Sequence, residues 1–474
     1  MNKLPTLLCS ALLMSALPVC ALHAAQDMAT DTQSRLEQQI GQLQQQLDAM
    51  KAELKQLREA QAGTAQGTAA NPAASRTTAA TPATSTVASA TTSATVDSAG
   101  ISPNLNLWGY GEVYYLHPRD EGTRTVADLA RAVFGIGYRF NDRTSFNSEF
   151  EVEHAISSAD DAGEFEVEQF YVDHELTDWA SVKAGLFLMP FGLLNEHHEP
   201  TRFYGVQRNF VETLIIPSTW REGGVGLHGN TLAGLSWDVG LTTGLNLGGW
   251  NPNPSEPLFR TAYDLINGDA GPMRATHQEL QLANAQNLSQ YVSLNYNGVP
   301  GLLAGAAVFT GKAAKPTFPA GLPDQRATLW EGHVRWMPGA ADLSAVYAQG
   351  RFSNTAAFNL ANAGGSNPMP SRFEGYFLQA AYTVWQRDGY RLSPFARWEY
   401  FDLGAGYEGI APGFTPVPEG NAVDGKPWPQ MHDRIWTVGA SLYLHPQVVL
   451  KIDYQHFNVN RDLTRFDVGL GLSF

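Results

Sequence analysis

The chain has 474 residues and a formal net charge of −15 at pH 7, which argues against nucleic acid as a partner. Although 43% of its residues are hydrophobic, no stretch beyond the N-terminal segment approaches the roughly 18–20 uninterrupted apolar residues of a membrane-spanning helix. A membrane protein of this composition would have to be a β-barrel, because barrel strands alternate their apolar residues.

Residues 1–25 have the order of a secretory signal peptide. Lys3 precedes an apolar run over residues 4–19, and small residues follow at 21–25. Both cysteines of the chain, Cys9 and Cys20, lie in this segment, so we expect no disulfide and no thiol metal site in the mature protein. Cys20 could instead be a lipoprotein acylation site, but Val19 occupies a position that requires a small residue.

Residues 26–60 contain a heptad pattern. Apolar residues recur at alternating spacings of four and three over three heptads, which is typical of a coiled-coil seam: Leu36, Ile40, Leu43, Leu47, Met50, Leu54 and Leu57. We interpret this seam as a periplasmic self-association element. The alternative is an amphipathic helix packed elsewhere, and the residues at the seam do not determine the number of chains.

Residues 61–102 are rich in Ala, Thr, Ser, Gly and Pro, and only Arg76 and Asp97 are charged. Such a segment has too little hydrophobic surface to form a core, which predicts a disordered linker. As a flexible coil it would span about 35 Å root-mean-square.

From residue 104 to the end the hydrophobic pattern has period two. In the segment 233–246 every second residue is apolar or Thr, and the residues between are Gly or polar. The sequence therefore predicts a transmembrane barrel over residues 103–474, all-β and antiparallel, with sixteen strands: 104–116, 131–140, 143–154, 164–176, 180–189, 223–230, 233–246, 287–297, 301–311, 327–337, 341–352, 372–386, 390–402, 433–445, 447–457 and 464–474.

The connections between these segments alternate strictly between long and short. Long connections follow odd-numbered segments, and the even-to-odd connections are tight turns such as Asn141-Asp142 or the single Pro446. An even strand number with both ends on the short-turn side is the topology of outer-membrane barrels. The terminal Phe474, preceded by alternating apolar residues, resembles the signal read by the barrel-assembly machinery. The alternative is an ordinary edge strand.

The third long connection, residues 190–222, mixes aromatic and charged residues and is our candidate for a loop that constricts the lumen. Its arginines would offer fixed positive charge to an anion or a sugar hydroxyl: Arg202, Arg208 and Arg221. Alternatively, these arginines pair with nearby acids to hold the loop in place: Glu196, Glu199, Glu212 and Glu222.

Two acidic ladders occupy the third and fourth segments, and the apolar phase of the third segment directs its carboxylates toward the lumen: Glu149, Glu151, Glu153, Glu164, Glu166 and Glu168. The fourth segment changes phase near Gln169-Phe170, which suggests a β-bulge. Later strands carry further charged residues in the inward phase, so a mixed-charge lumen is expected: Glu331, His333, Arg335, Arg397, Glu399, Lys451 and Asp453.

No catalytic motif holds the Ser, His and Asp residues together, so we predict neither an enzyme nor a cofactor. His197 and His198 lie beside Glu196 and Glu199, but adjacent histidines lack the helical i, i+4 spacing of a zinc site. We therefore predict no metal site.

The run from Phe170 through 184–192 to 222–226 resembles the phosphate-selective porin O and P family. This resemblance implies a homotrimeric, sixteen-stranded channel in the bacterial outer membrane, in contact with its lipids, whose third loop narrows the pore. The glutamate ladders depart from the lumen arginines and lysines of the phosphate-selective members. We therefore expect passive diffusion of small hydrophilic solutes or ions, and the alternative is a structural or tethering protein with a plugged barrel.

Overall fold

The computed structural model describes residues 102–120, 122–155, 163–252, 271–313, 321–365, 367–410 and 429–474. The signal peptide, the coiled-coil seam and all but the end of the linker lie outside these residues, so their assignments stay predictions. Among the described residues, no helix is long and apolar enough to cross a membrane.

The described residues form one continuous antiparallel sheet. Its strands are β1 Leu105–Pro118, β2 Val126–Asn141, β3 Thr144–Glu153, β4 Phe165–Thr177, β5 Ala180–Leu188, β6 Arg221–Asn230, β7 Leu235–Thr243, β8 Leu288–Tyr296, β9 Leu302–Lys312, β10 Arg326–Trp336, β11 Ala341–Phe352, β12 Pro370–Tyr382, β13 Trp385–Arg387, β14 Tyr390–Tyr407, β15 His432–His445, β16 Val448–Phe457 and β17 Arg465–Ser473. Both β12 and β13 pair with β14, so the short β13 continues β12 and the sheet has sixteen positions.

The sheet closes into a barrel because β1 pairs with β17, from Tyr110 opposite Ser473 to Pro118 opposite Arg465. The last residue takes part in this closure. The Gly109 N–H donates to the Phe474 carbonyl at 3.0 Å, and the Phe474 N–H donates back to the Gly109 carbonyl at 2.8 Å. The predicted closed, sixteen-stranded antiparallel barrel is confirmed.

Residues alternate between the outer and inner faces as the sequence predicts. On β17 the apolar residues Phe466 and Val468 are exposed, whereas Arg465 and Asp467 between them are buried inside the barrel. An exposed apolar outer face suits lipid, and a charged inner face is tolerated only in a lumen.

The connections also follow the predicted alternation. Turns of two to five residues join even to odd positions, and the other connections run from 7 residues at 119–125 to 44 residues at 244–287. The second strand begins at Val126, five residues before the predicted start, because residues 126–129 continue the ladder with β1. Strand pairing above the bilayer does not require an apolar face, so hydrophobic alternation could not show this extension.

Within the described ranges, the helical elements all lie in long connections. They are the α-helix α1 Thr355–Ala361, a short π-helix Val211–Ile215, and the 3-10 turns Gly122–Arg124, Leu247–Gly249 and Arg461–Leu463. The π-helix belongs to the connection between β5 and β6, residues 189–220, which we call L3.

Candidate functional site

L3 contacts the barrel wall opposite its own ends. It leaves β5 at the fifth position and is held at β14, the thirteenth, where the Phe210 N–H donates to Glu399 Oε2 at 2.7 Å. The Val206 N–H donates to Asp453 Oδ2 on β16 at 2.6 Å. Because β14 lies eight of sixteen positions from β5, L3 runs across the inside of the barrel.

Two glycines on the inner face of β17 leave room for L3 to contact the barrel wall. A Cβ atom added at Gly469 would lie 3.0 Å from Val206 Cγ1, and one at Gly471 would lie 2.5 Å from Pro200 Cβ. Any larger residue at 471 would overlap the loop. These glycines therefore make the close approach of L3 possible.

The π-helix of L3 packs against the inner faces of β11, β12 and β14. Val211, Leu214 and Ile215 are fully buried in an apolar cluster that continues onto these strands. Gly375 on β12 leaves room for this contact, because a Cβ there would lie 3.0 Å from Ile215 Cγ1. One side of the lumen interior is therefore apolar and filled.

One carboxylate ties three parts of L3 together. Glu212 Oε1 accepts the N–H groups of Leu193 at 2.5 Å and Leu194 at 2.8 Å, and Oε2 accepts from Asn209 Nδ2 at 2.7 Å. The Asn209 Oδ1 in turn accepts the Glu212 backbone N–H at 2.8 Å. Burial raises the pKa of Glu212, and the hydrogen bonds from Asn209, Leu194 and Leu193 act in the opposite direction.

The two ends of L3 are joined by Asn195. Its Nδ2 donates to the carbonyls of Met189 at 2.7 Å and Trp220 at 2.8 Å, and its Oδ1 accepts the Trp220 N–H at 2.8 Å. The loop is thus an internally bonded unit whose conformation does not depend on the wall contacts alone.

The three arginines proposed for the pore have different surroundings. Arg221 is buried at the start of β6, where its Nη2 lies 2.5 Å from Glu166 Oε2 and 3.1 Å from Glu279 Oε1. Arg202 is half exposed, 4.0 Å from Glu199. Arg208 forms no hydrogen bond or ion pair with any residue that the structure describes. Arg208 is therefore the member of the set without a close ionic partner, and its charged neighbours include Arg131, Glu112 and Glu151.

The acidic ladders are placed unequally. Glu149, Glu151 and Glu168 are buried on the inner face, Glu153 and Glu166 are half-buried, and Glu164 precedes β4 and is exposed. The structure thus places the last residues of β3 beside the first residues of β4, and leaves Glu164 outside β4.

A β-bulge separates the two phases of β4. Glu149 pairs with Gln169 and Phe150 pairs with Val167, so Glu168 is the extra residue. The bulge confirms the phase change expected from the sequence. It explains why Phe165 and Phe170, at odd and even positions, both face outward.

Beside these carboxylates lies a charged group that the sequence did not single out. Arg131 on β2 bonds to Glu112 on β1, with Nε 2.8 Å from Oε1, and its Nη2 donates to the His198 carbonyl of L3 at 2.6 Å. Glu112 and Arg131 have opposite charges and lie in the inward phase of neighbouring predicted strands, and this pattern in the sequence could have identified the pair. Lys451 on β16 lies 3.5 Å above the Phe203 ring of L3.

The remaining inward residues follow their predicted phase. Seven charged or histidine residues were expected on the inner face of β10, β14 and β16. Six of these are buried and Arg335 is half-buried: Glu331, His333, Arg335, Arg397, Glu399, Lys451 and Asp453. Burial inside a barrel with apolar outer residues shows that these side chains point inward.

No protein-family model matches the chain. It is 27% identical over 363 residues to an uncharacterised protein of Aquifex aeolicus, which covers 75% of this chain and 76% of that protein. Similar solved structures include Salmonella typhi OmpF in complex with daunomycin, with 14% identity, a TM-score of 0.49, and coverage of 78% of this chain and 97% of that one.

Two further structures are similar at lower scores. The outer membrane channel DcaP of Acinetobacter baumannii has 13% identity and a TM-score of 0.45, with coverage of 78% of this chain and 97% of that one. The trimer form of OmpT, an outer membrane protein of Vibrio cholerae, has 10% identity and a TM-score of 0.41, with coverage of 78% and 98%. The fold assignment of this chain rests on its own strand pairing.

Proposed function

We propose that the chain is an outer-membrane channel for passive diffusion of small hydrophilic solutes or ions, and that L3 narrows its lumen. The observation that carries this proposal is the pair of hydrogen bonds by which L3 reaches Glu399 and Asp453 on the far wall. A loop held across a closed barrel reduces its cross-section, and the charged groups beside it then act at short range on whatever passes.

The charges around L3 favour a mixed-charge pathway. The β3/β4 wall contributes carboxylates, whereas Arg208 and Arg131 contribute positive charge from the loop side and the neighbouring strand. An anion and a cation would each meet an attractive and a repulsive wall. This arrangement does not support phosphate selectivity, although the sequence resembles the phosphate-selective porin O and P family.

We further propose that the N-terminal seam from Leu36 to Leu57 holds three copies together in the periplasm, and that Phe474 serves as the assembly signal. Conductance that increases in multiples of three after insertion into planar bilayers would support the trimer. Loss of the outer-membrane form on deletion of Phe474, with the precursor still exported, would support the assembly role.

A plugged barrel with a structural or tethering role is the second candidate, and the apolar packing of Val211, Leu214 and Ile215 against the wall favours it. The two candidates differ in one property. A channel conducts ions when the folded barrel is reconstituted into a bilayer, whereas a plugged barrel does not.

The acidic wall can be tested by a triple variant, Glu149→Gln/Glu151→Gln/Glu153→Gln. In a salt gradient its reversal potential should move toward anion preference, since three carboxylates leave the pathway. Glu374→Gln, in the outward phase of β12, is a control for loss of a carboxylate that does not face the lumen. An unchanged reversal potential in the triple variant would mean that the β3 carboxylates do not face the conduction path.

A further inference from the structure

Three carboxylates meet where β3 and β4 face the lumen. Glu151 and Glu166 are direct partners across the two strands, and Glu168 is the bulged residue beside them. One oxygen from each lies within 4.8 Å of the others. Three atoms no more than 4.8 Å apart lie within about 2.8 Å of a common point. That distance is close to the 2.3–2.6 Å of a calcium–oxygen contact, so a small side-chain adjustment would let one ion contact all three. We call Glu151, Glu166 and Glu168 the carboxylate triad.

The triad contains buried oxygens without partners. Glu151 is 2% exposed, and in the described part of the chain its only side-chain hydrogen bond is to Glu168, within the triad itself. The Oε1 atoms of Glu151 and Glu168 are both fully buried, and neither has a hydrogen-bond donor in the described part of the chain. A buried carboxylate that lacks a partner is strongly unfavourable, so these oxygens need a cation or a proton.

Two of the positive groups near the triad already have partners. Arg221 is shared between Glu166 and Glu279, and Arg131 is paired with Glu112. His198 in L3 lies beside Glu168, with Nε2 3.7 Å from Oε2. Among the described residues, only Glu166 of the triad has an ion pair with an arginine, and Arg208 acts on Glu151 without pairing with it, so ion pairs balance the charge of the triad only in part.

We propose that the carboxylate triad binds a single divalent cation, Ca²⁺, which braces the β4 bulge against β3 at the inner wall. The donor set consists of carboxylate oxygens only, which is the ligand type that Ca²⁺ prefers. The sequence led us to expect no metal site, because the only candidate considered was the pair His197 and His198. The phase change near Gln169-Phe170 indicated a bulge but did not show that Glu168 lies beside Glu151. The site does not depend on conduction, so it can be tested independently of the proposed channel.

The experiment uses the full-length protein, folded in detergent, with Tb³⁺ as a luminescent substitute for Ca²⁺. Tyr110, whose hydroxyl lies 3.2 Å from Glu168 Oε2, is close enough to sensitise the bound lanthanide. We expect emission that saturates at one Tb³⁺ per chain and is displaced by Ca²⁺ but not by K⁺. Calorimetric titration with Ca²⁺ should give the same stoichiometry.

Glu151→Gln and Glu168→Gln should each weaken Tb³⁺ binding roughly tenfold or more, because each removes one charged ligand. Glu374→Gln is the matched control. Glu374 lies on β12, eight positions from β4, so removing its charge leaves the triad intact. Folding of every variant is checked by its heat-modifiable electrophoretic mobility. The proposal is overturned if folded wild-type protein gives no saturable emission, or if the control loses as much affinity as the triad variants.

Discussion

Replacement of Glu212 by Gln tests whether this side chain holds L3 in place. A carboxamide oxygen at 212 can still accept the N–H groups of Leu193 and Leu194, but the amide nitrogen would then face Asn209 Nδ2, and both groups are donors. Asn209 cannot correct this by rotating its amide, because its Oδ1 accepts the 212 backbone N–H. The variant therefore leaves at least one buried donor without an acceptor.

A buried donor without an acceptor costs about 1–3 kcal/mol. Since about 1.4 kcal/mol corresponds to a factor of ten, the ratio of docked to released L3 should fall roughly 5- to 150-fold. In the described structure all hydrogen bonds of this carboxylate are to residues of L3, so the barrel itself should remain folded. We expect more frequent current fluctuations in single-channel recordings and faster tryptic cleavage after Arg202, whose side chain is about half exposed.

Two further variants make this prediction specific. Glu196→Gln is the matched control, because Glu196 is an exposed residue of the same loop and should change neither readout. The double variant Asn209→Asp/Glu212→Gln exchanges donor and acceptor and should restore wild-type behaviour. If Glu212→Gln behaves like Glu196→Gln in both recordings and proteolysis, Glu212 does not hold the loop.

Three other predictions concern the loop wall, the pore charge and the barrel. Gly471→Leu should displace L3 from β17 and increase tryptic cleavage of the loop. The control Gly332→Leu, at an open outward position, should leave cleavage unchanged. Equal cleavage rates in the two variants would refute the prediction. Arg208→Ala should shift the reversal potential toward cations without affecting folding, and an unchanged potential would place Arg208 away from the pathway. Lys183→Met removes the ion-pair partner of Asp238 on β7, which keeps only the hydrogen bond from Tyr291, and should lower the free energy of unfolding in urea by about 2–3 kcal/mol. Lys312→Met, which breaks an exposed pair, should change it by less than about 1 kcal/mol, and similar losses in both would contradict the burial argument.

The barrel could be predicted from residue order because two local signals agree along its whole length. Alternation assigns each residue to one face, and tight turns fix which strands are neighbours, so closure between β1 and β17 follows from an even strand number. Strand ends were less predictable. β14 extends to Tyr407, five residues beyond the predicted end, because pairing continues where lipid no longer requires an apolar face.

The interior of the lumen could be predicted only in part. The inward phase of Glu399 and Asp453 follows from alternation, but their contacts with L3 connect residues about 190 and 250 positions apart in the chain, for which no local signal exists. The arginines of the predicted loop 190–222 show the same limit. Residue type indicated a charged loop, yet only tertiary packing pairs Arg221 with Glu166 and leaves Arg208 without a close ionic partner.

The most direct test of the account is polymer exclusion measured on single channels. Folded wild-type protein in planar bilayers should conduct ions, and small neutral polymers should block it only up to a size set by L3. A variant in which a short Gly/Ser linker replaces residues 196–216 should conduct more and admit larger polymers. Absence of conductance from folded wild-type protein, or an identical size limit in the two proteins, would contradict a channel narrowed by L3.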